Sequence, residues 1–440
     1  MNPELYSQHL DTVAQRWQAA LDFAGFEAAV VAAGRPRDYF LDDRAAPFQP
    51  NPHFAQWFPD GDCAESMLLI RPGHRPRLFF HQPRDFWHQP PRLPAWADAN
   101  LDAAVFAEVD DLRDAVAAAM SGCNRPAYVG EEAPGNLGAA DHNPALLLNH
   151  LHFHRAAKTA FEVDCMARAN QRAVAGHTAA RAAFESGASE FDTHLSYLAA
   201  ARQTPEQLPY HSIVAQNRHA GVLHYQHYDR EPPEPLLSFL IDAGASECGY
   251  AADVTRTYAA DGDGDFAALV RDMDTAQRRL IDGIRPGIGF ADLHAAAHRA
   301  VAELLASHGI VRCTPDAALE TGITRAFLPH GLGHLIGLQV HDVGGQQASP
   351  EGGLRPPDPA YPALRLTRTI DTDYAFTIEP GLYFIPMLLD ELRDGPAGSD
   401  VNWDRVEHFA PFGGIRIEDN VVVTGDGVRN LTREAFARHA

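Results

Sequence analysis

The spacing of apolar residues along the chain changes character about a third of the way through. Near the N-terminus, Leu5, Leu10, Val13 and Trp17 recur at helical intervals and predict an amphipathic helix with these side chains inward. Short apolar runs follow between Pro and Gly turns and predict strands at 28–34, 68–70 and 78–80, with a helix over 110–120. This part of the chain therefore predicts a small α/β domain.

Two stretches of this first part, 48–60 and 81–96, are rich in proline and aromatic residues. Their composition predicts loops wrapped on the surface. A large aromatic such as Trp57, Trp87 or Trp96 usually packs in such a loop, and an exposed one would indicate an interface.

A capping box marks the change of character. In Thr159-Ala160-Phe161-Glu162 the hydroxyl and the carboxylate can satisfy backbone donors at a helix start. We expect the helix to run to about Glu185 and the domain boundary to lie just before it, with domains at 1–157 and 158–440.

The second domain shows the same order of elements twice. Helices over 159–185 and 191–202 precede a strand ending in Ile241-Asp242-Ala243-Gly244, and helices over 266–284 and 291–308 precede one ending in Ile378-Glu379-Pro380-Gly381. This repetition predicts a pseudo-symmetric domain with a site between its halves, within an overall α+β fold.

Composition excludes several function classes. The formal net charge of -22 argues against nucleic-acid or polybasic membrane binding. The N-terminus lacks a signal-peptide pattern, and the five scattered cysteines predict reduced thiols in a cytoplasmic protein. Lys158 is the only lysine, so no P-loop exists and any Schiff-base chemistry would have to use that residue.

Four acids stand in apolar, strand-like runs. A hairpin centred between Glu247 and Cys248 would place Asp242 directly opposite Asp253, and two like charges so close are destabilising unless a cation lies between them. Two further acids, Glu379 and Glu418, share this context. Buried carboxylates need partners, and a metal ion is the simplest one.

The segment 327–345, FLPHGLGHLIGLQVHDVGG, adds His330, His334 and His341. The residues alone do not distinguish His330 from His334 as a ligand. Four carboxylates and one imidazole form an oxygen-rich set that suits Mn²⁺ and accommodates Co²⁺, Fe²⁺ or Zn²⁺. Two ions sharing a water would use all five groups.

The ordered motifs D(242)AG, D(253)VTRT, PHGLGH, VHDVGG, TIEPGLYF and GGIRIEDN, with FLDD and DFWH nearer the N-terminus, span essentially the whole chain. Together they resemble the pita-bread metallopeptidases, and most closely the prolidases, the X-Pro dipeptidases of the bacterial PepQ type. The resemblance implies an N-terminal α/β domain followed by a pita-bread catalytic domain that hydrolyses dipeptides ending in proline.

The resemblance also implies the ligands and the catalytic groups. Two divalent ions, most simply Mn²⁺, would be held by Asp242, Asp253, His334, Glu379 and Glu418. His224 and His341 match histidines that would steady the scissile carbonyl, and Glu379 would relay a proton to the departing proline nitrogen.

Other matches concern the substrate. Arg365 matches an arginine that grips the C-terminal carboxylate of the dipeptide, a task suited to a guanidinium fork. Further candidates for the substrate site are Tyr210 and His330. Arg416, which lies two residues from Glu418 on the same strand face, is another.

The family further implies a homodimer in which an N-terminal patch of one subunit closes the site of the other, and Asp43 and Trp87 are the candidates for that patch. Organophosphorus hydrolysis is an expected side activity.

Two alternatives stay open. An aminopeptidase P-like enzyme would share the fold and metals but act on longer X-Pro peptides, and Arg365 argues for the dipeptidase. A non-catalytic pita-bread domain that binds peptides would usually have lost ligands, and all five are present.

Overall fold

The computed structural model describes residues 2–132, 135 and 140–439. The chain separates into two compact units, the first formed by Met1–Arg155, Thr159–Glu162 and Ser349–Gly353, and the second by Ala156–Lys158, Val163–Ala348 and Leu354–Ala440. No helix in the described residues is long and apolar enough to span a membrane.

The first unit is a mixed sheet with helices. Its helices are α1 (Pro3–Ala24), α2 (Pro52–Ala55), α3 (Ala95–Asn100), α4 (Val109–Met120) and α5 (Ala145–Arg155). Its strands are β1 (Ala28–Ala32), β2 (Met67–Ile70), β3 (Arg77–His81), β4 (Asp102–Phe106), β5 (Pro126–Val129) and β6 (Asp141–His142), in the order β4-β3-β2-β1-β5-β6. The predicted strands and both predicted helices are therefore present.

Local sequence explains these elements. The Asn2 side chain accepts hydrogen bonds from the first amides of α1, and Leu10, Val13 and Trp17 on its inner face are buried, whereas Leu5 is only partly so.

The aromatic stretch at 48–60 differs from its prediction as a surface loop. It contains the short helix α2, and Phe54, Trp57 and Phe58 are buried. The ring of Phe58 lies 5.7 Å from Phe80 and 5.0 Å from Trp96, centroid to centroid. The large apolar area of these rings outweighs the loop-forming prolines, so the stretch folds inward.

The second unit alternates helices with short strands. Its helices are α6 (Ala160–Glu185), α7 (Glu190–Ala201), α8 (Asp265–Asp282), α9 (Phe290–Ser307), α10 (Pro315–Glu320), α11 (Ile323–Phe327), α12 (Pro386–Asp394), α13 (Trp403–Phe409) and α14 (Leu431–His439). Its strands are β7 (Ile213–Gln216), β8 (Ser238–Asp242), β9 (Ser246–Glu247), β10 (Tyr250–Ala251), β11 (Thr255–Ala259), β14 (Ala375–Ile378), β15 (Gly381–Tyr383), β16 (Gly414–Arg416), β17 (Asp419–Val423) and β18 (Val428–Asn430). Two further strands, β12 (Gln347–Ser349) and β13 (Gly352–Leu354), overlap Ser349–Gly353 of the first unit.

The capping box predicted at the start of α6 is present. The Thr159 amide donates to Glu162 Oε2 at 2.8 Å, and the Glu162 amide donates to Thr159 Oγ1 at 3.3 Å. The predicted order also recurs, because α6 and α7 precede the sheet β11-β8-β7 while α8 and α9 precede the sheet β14-β17-β18.

The hairpin that carries the first two acids is shifted from its predicted centre. Glu247 pairs with Tyr250, so the two-residue turn is Cys248-Gly249, and Asp242 pairs with Thr255 rather than with Asp253. Both turn residues have positive φ, 53° and 79°, which two-residue hairpin turns require and which glycine favours. Asp253 lies two residues before Thr255, diagonal to Asp242.

Candidate metal centre and substrate site

The four predicted acids stand at strand ends. Asp242 ends β8, Asp253 lies two residues before β11, Glu379 follows β14, and Glu418 precedes β17. A bridge between Thr255 and Glu418 joins the two sheets, with the Glu418 amide donating to the Thr255 carbonyl at 3.0 Å. Acids distant in sequence are thereby brought to one place.

Buried polar side chains fix the spacing between the two sheets. The Asn420 amide group accepts from the Asp253 backbone N–H at 2.9 Å and donates to the Asp253 carbonyl at 2.6 Å. The Thr255 hydroxyl donates to Glu418 Oε2 at 2.7 Å. These contacts satisfy backbone groups where the regular ladders end.

The histidine segment passes very close to β14. A Cβ on Gly333 would stand 2.0 Å from the Thr377 carbonyl oxygen, so only glycine permits this approach. The His334 amide donates to Thr377 Oγ1 at 3.1 Å. The backbone of His334 is thus held directly beside the strand that leads to Glu379.

The His334 ring is oriented by its own neighbour. Its Nδ1 lies 3.0 Å from the Leu335 carbonyl, which can only accept, so the ring hydrogen is on Nδ1. The lone pair of Nε2 therefore faces Asp253 Oδ2 at 3.4 Å and Glu379 Oε1 at 3.6 Å. This is the arrangement of a metal ligand with an outer hydrogen bond.

The His330 ring is already fully engaged. Its Nδ1 lies 2.8 Å from the Gly331 carbonyl, and its Nε2 lies 2.8 Å from the Tyr383 hydroxyl, which also accepts from Arg416 at 2.8 Å. The Tyr383 hydrogen is thus directed to His330 Nε2, whose lone pair is used. The geometry favours His334 over His330 as the ligand.

Two of these substrate candidates contact carboxylates of the candidate metal centre. The Tyr210 hydroxyl lies 2.8 Å from Asp242 Oδ1 and 2.6 Å from Asp253 Oδ1, and Arg416 donates to Asp242 Oδ2 at 2.7 Å. Arg416 is 4% exposed, so its guanidinium supports Asp242 from within the protein. The single Tyr210 hydrogen can serve only one carboxylate at a time, and the negative charge remains crowded.

Burial dominates the electrostatics of the acids. It raises the pKa of Glu379 to about 7 and raises the pKa of Glu418 and Asp242, although Arg416 opposes it at Asp242. Burial acts in the same sense on Asp253 and is the largest single influence, but His334, the Tyr210 hydroxyl and His341 together outweigh it and hold the pKa of Asp253 below its usual value.

These residues fit a divalent metal centre. Ligand atoms of Asp253, His334 and Glu418 lie within 4.8 Å of one another. The Oε1 atom of Glu418 is buried and has no hydrogen-bond partner among the described residues, as expected of an oxygen kept for a cation. The donors are mostly carboxylate oxygens, which suit Mn²⁺.

The predicted substrate residues are more open. The side chains of His224, His341 and Arg365 are exposed. The His341 ring lies 4.4 Å from the His334 ring at an interplanar angle of 87°. Partial desolvation, and then the neighbouring His334 and Arg365, lower the pKa of His341 to about 4, so its imidazole is neutral.

The only lysine of the chain is part of the scaffold. Lys158 Nζ donates to Asp342 Oδ2 at 2.8 Å, and both side chains are 1% exposed. This buried ion pair fixes the segment next to His341 and leaves Lys158 unsuited to Schiff-base chemistry.

Asp43 and Trp87 lie in the first unit and are exposed. Trp87 is 80% exposed, and Phe40, Leu41 and Phe86 are at least as open. These side chains form two exposed apolar pairs, 40–41 and 86–87.

Sequence reasoning did not single out several residues that shape the centre, namely Thr255, Thr377, Tyr383 and Asn420. The two threonines could have been found, because each lies two residues from an acid, Asp253 or Glu379, and so shares its strand direction. Tyr383 and Asn420 act across strands that the sequence does not pair.

The chain matches two protein-family profiles. Residues 164–425 match metallopeptidase family M24, and residues 4–153 match the Xaa-Pro dipeptidase N-terminal domain. Proteins named Xaa-Pro dipeptidase from Stenotrophomonas maltophilia (strain K279a) and Xanthomonas oryzae pv. oryzae (strain MAFF 311018) are 45% and 47% identical, covering 98% of this chain and 97% and 98% of their own lengths.

Solved structures share the fold at lower identity. Aminopeptidase P from Escherichia coli in a low-pH form has a TM-score of 0.74 at 21% identity, covering 99% of this chain and 98% of that chain. Aminopeptidase PepP from Pseudomonas aeruginosa has a TM-score of 0.73 at 23% identity, covering 97% and 98%. These are pita-bread folds with an N-terminal domain.

Proposed function

Because the chain belongs to metallopeptidase family M24, we propose that it hydrolyses dipeptides whose second residue is proline. The observation that carries the proposal is the convergence of Asp242, Asp253, His334, Glu379 and Glu418 at the ends of strands from two sheets. Substrate choice is supported by relatives named Xaa-Pro dipeptidase that are 45% to 47% identical over nearly the whole chain.

Divalent ions in such a site polarise a carbonyl and acidify water. The remaining steps belong to the side chains. Glu379 is the ligand whose side chain is most open, at 17% exposed, so it is the one able to pass a proton to the departing proline nitrogen. The neutral imidazole of His341, with His224, steadies the developing charge on the scissile carbonyl oxygen.

The length of the substrate is proposed to be limited by Arg365. An exposed guanidinium near His341 can bind the free carboxylate of a dipeptide, and a third residue would remove that carboxylate from its reach. Cleavage of Gly-Pro, measured with and without Mn²⁺ and compared with Gly-Pro-Ala, tests the function. Preference for the tripeptide would indicate an aminopeptidase P-like enzyme instead.

Replacing Arg365 tests the carboxylate contact directly. Loss of a charge-assisted hydrogen bond lowers kcat/KM for Gly-Pro roughly 10- to 100-fold in Arg365→Met, mostly through KM. Arg355→Met is the matched control, because Arg355 is an exposed arginine of the same segment with no assigned contact to substrate. Equal effects of the two substitutions would contradict the role of Arg365.

The physiological ions are proposed to be two Mn²⁺ per chain, because carboxylate oxygens dominate the donor set. Metal analysis of the purified protein should give about two ions per chain. Absence of binding even after Mn²⁺ addition would favour the non-catalytic peptide-binding alternative.

We also propose a cytoplasmic homodimer. The exposed apolar pairs 40–41 and 86–87 support an interface, and the five free cysteines support a reducing compartment. Sedimentation should give twice the chain mass, and Trp87→Ala should lower activity if this patch closes a neighbouring site.

Slow hydrolysis of organophosphorus esters is a proposed side reaction.

A further inference from the structure

A buried carboxylate outside the candidate metal centre accepts hydrogen bonds from several parts of one loop of the second unit. Glu190, the first residue of α7, is 1% exposed. Its Oε1 accepts from the Gln216 amide at 2.8 Å and lies 2.8 Å from His219 Nδ1. Its Oε2 accepts from the Tyr225 hydroxyl at 2.7 Å and from the Asp229 amide at 2.8 Å. Glu190 thus binds both ends and the middle of segment 216–229.

This segment lacks the ladder that holds a regular strand. Only Gln216 belongs to β7, and a short 3-10 turn covers Asn217–Gly221. The backbone is left-handed at Asn217, with φ of 52°, and at Tyr228, with φ of 56°. Such conformations are unfavourable for these residues and persist only where the surroundings fix them.

The contacts of Glu190 bear on His224. Tyr225, next to it in the chain, is held by Glu190 and by the ring of His219, stacked at 4.3 Å. Segment 216–229 also packs directly against the residue before β16, because a Cβ on Gly413 would stand 2.3 Å from the Asn217 carbonyl oxygen. Strand β16 ends at Arg416, which contacts Asp242. The segment that carries His224 therefore lies beside the candidate site.

A cation bound by Glu190, His219 and Asp229 is the rival explanation, because their ligand atoms lie within 4.8 Å of one another. Each oxygen of Glu190 already has two hydrogen-bond partners, which is the full capacity of a carboxylate. A metal would have to displace them, so the cluster is better explained as an organising centre.

We propose that Glu190 is a positioning residue: it fixes segment 216–229 so that His224 meets the scissile carbonyl. This inference rests on the proposed dipeptidase function. Glu190→Gln keeps the shape of the side chain, but one carboxylate oxygen is replaced by an N–H₂ group that cannot accept hydrogen bonds. Two of the four donors then lose their acceptor, and the segment is no longer held in one conformation.

The test compares Glu190→Gln, Tyr225→Phe, His224→Ala and the double variant Glu190→Gln/His224→Ala in Gly-Pro cleavage. Glu190→Gln is expected to lose on the order of 10²-fold in kcat through misplacement, with Mn²⁺ affinity unchanged. Tyr225→Phe removes one donor and should show a smaller loss in the same direction. The double variant should be no slower than His224→Ala, because Glu190 acts through His224.

Ser189→Ala is the matched control. Ser189 caps the same helix by accepting from the Asp192 amide, but its side chain makes none of the contacts to segment 216–229 described above. This variant should lose stability while keeping kcat. Wild-type kcat in Glu190→Gln, or multiplied losses in the double variant, would overturn the inference.

Hydrogen exchange separates this inference from the proposed function. Residues 217–229 should exchange faster in Glu190→Gln than in wild type or Ser189→Ala, whether or not dipeptides are cleaved. If the wild-type enzyme fails to cleave Gly-Pro, the proposed function falls while the exchange result still decides whether Glu190 orders the segment. Unchanged exchange in this segment would overturn the inference on its own.

Discussion

At the residue scale, the hydroxyl of Tyr210 contacts two carboxylates of the candidate metal centre at once, those of Asp242 and Asp253. Tyr210→Phe leaves both without this outer partner, and the loss of such a contact lowers metal affinity roughly 10- to 100-fold. Calorimetric titration of the metal-free protein with Mn²⁺ measures the change.

Tyr197→Phe is the control for this substitution. Tyr197 is fully buried, whereas Tyr210 is partly buried, and the Tyr197 hydroxyl donates to the Gly244 carbonyl at 2.7 Å and not to a carboxylate of the candidate centre. Removing it should lower stability by about 1 kcal/mol without changing Mn²⁺ affinity. Equal affinities in the two variants would show that Tyr210 does not tune the carboxylates.

A second residue-scale prediction concerns the only lysine. Lys158→Met removes the cation that contacts the buried carboxylate of Asp342 and should lower the free energy of unfolding by about 3 to 5 kcal/mol. Adding Asp342→Leu removes the negative charge of Asp342 and should restore a large part of the lost free energy of unfolding. Urea denaturation of the three proteins measures this, and a double variant less stable than Lys158→Met would refute the argument.

The acids of the candidate centre could be predicted from single residues and motifs, because an acid inside an apolar strand is conspicuous, and their role as metal ligands stays a prediction. Their partners could not be predicted. The hydrogen bonds that join Arg416 to Tyr383 and Tyr383 to His330 depend on distances between chain segments far apart in sequence. These hydrogen bonds show, without reference to a family, why the Nε2 lone pair of His330 is occupied while that of His334 is free.

At the element scale, the approach of the histidine segment to β14 depends on Gly333. Gly333→Ala would place a methyl group 2.0 Å from the Thr377 carbonyl oxygen, so the two backbones must separate. We expect a loss of about 1 to 3 kcal/mol in stability and weaker Mn²⁺ binding, since His334 follows directly. Thermal unfolding with and without Mn²⁺ measures both effects.

Gly425→Ala provides the comparison, because nothing lies within 4 Å of a Cβ at that glycine. It should change stability by less than about 0.5 kcal/mol. If Gly333→Ala behaved in the same way, the segment would not need its close approach to β14.

The hairpin at Cys248-Gly249 shows how far elements follow from sequence. Both strands and their acids were predicted, but the turn was placed one residue early. The glycine at the second turn position indicates the correct register, because this two-residue turn has positive φ there. The helices were easier because apolar periodicity and the Thr159 cap mark them locally.

At the scale of the whole molecule, acid should destabilise the fold through buried neutral histidines. Desolvation lowers the pKa of His294 to about 4 and, as the largest cause, that of His177 and His298 to about 3. Unfolded histidine titrates near 6.5. Between these values the unfolded chain binds protons that the folded chain does not, so stability falls as pH drops from about 6.5 to 4.

His294 is suited to test this effect, because it is buried and neither ring nitrogen has a hydrogen-bond partner among the described residues. Its shift from 6.5 to about 4 corresponds to a loss on the order of 3 kcal/mol between pH 7 and pH 4. In His294→Phe that part of the pH dependence should disappear, whereas His74→Gln, at an exposed histidine, should retain it. Urea denaturation of metal-free protein at both pH values makes the comparison without interference from metal release. Parallel pH profiles for wild type and His294→Phe would mean that the imidazole of His294 is not held neutral in the folded chain.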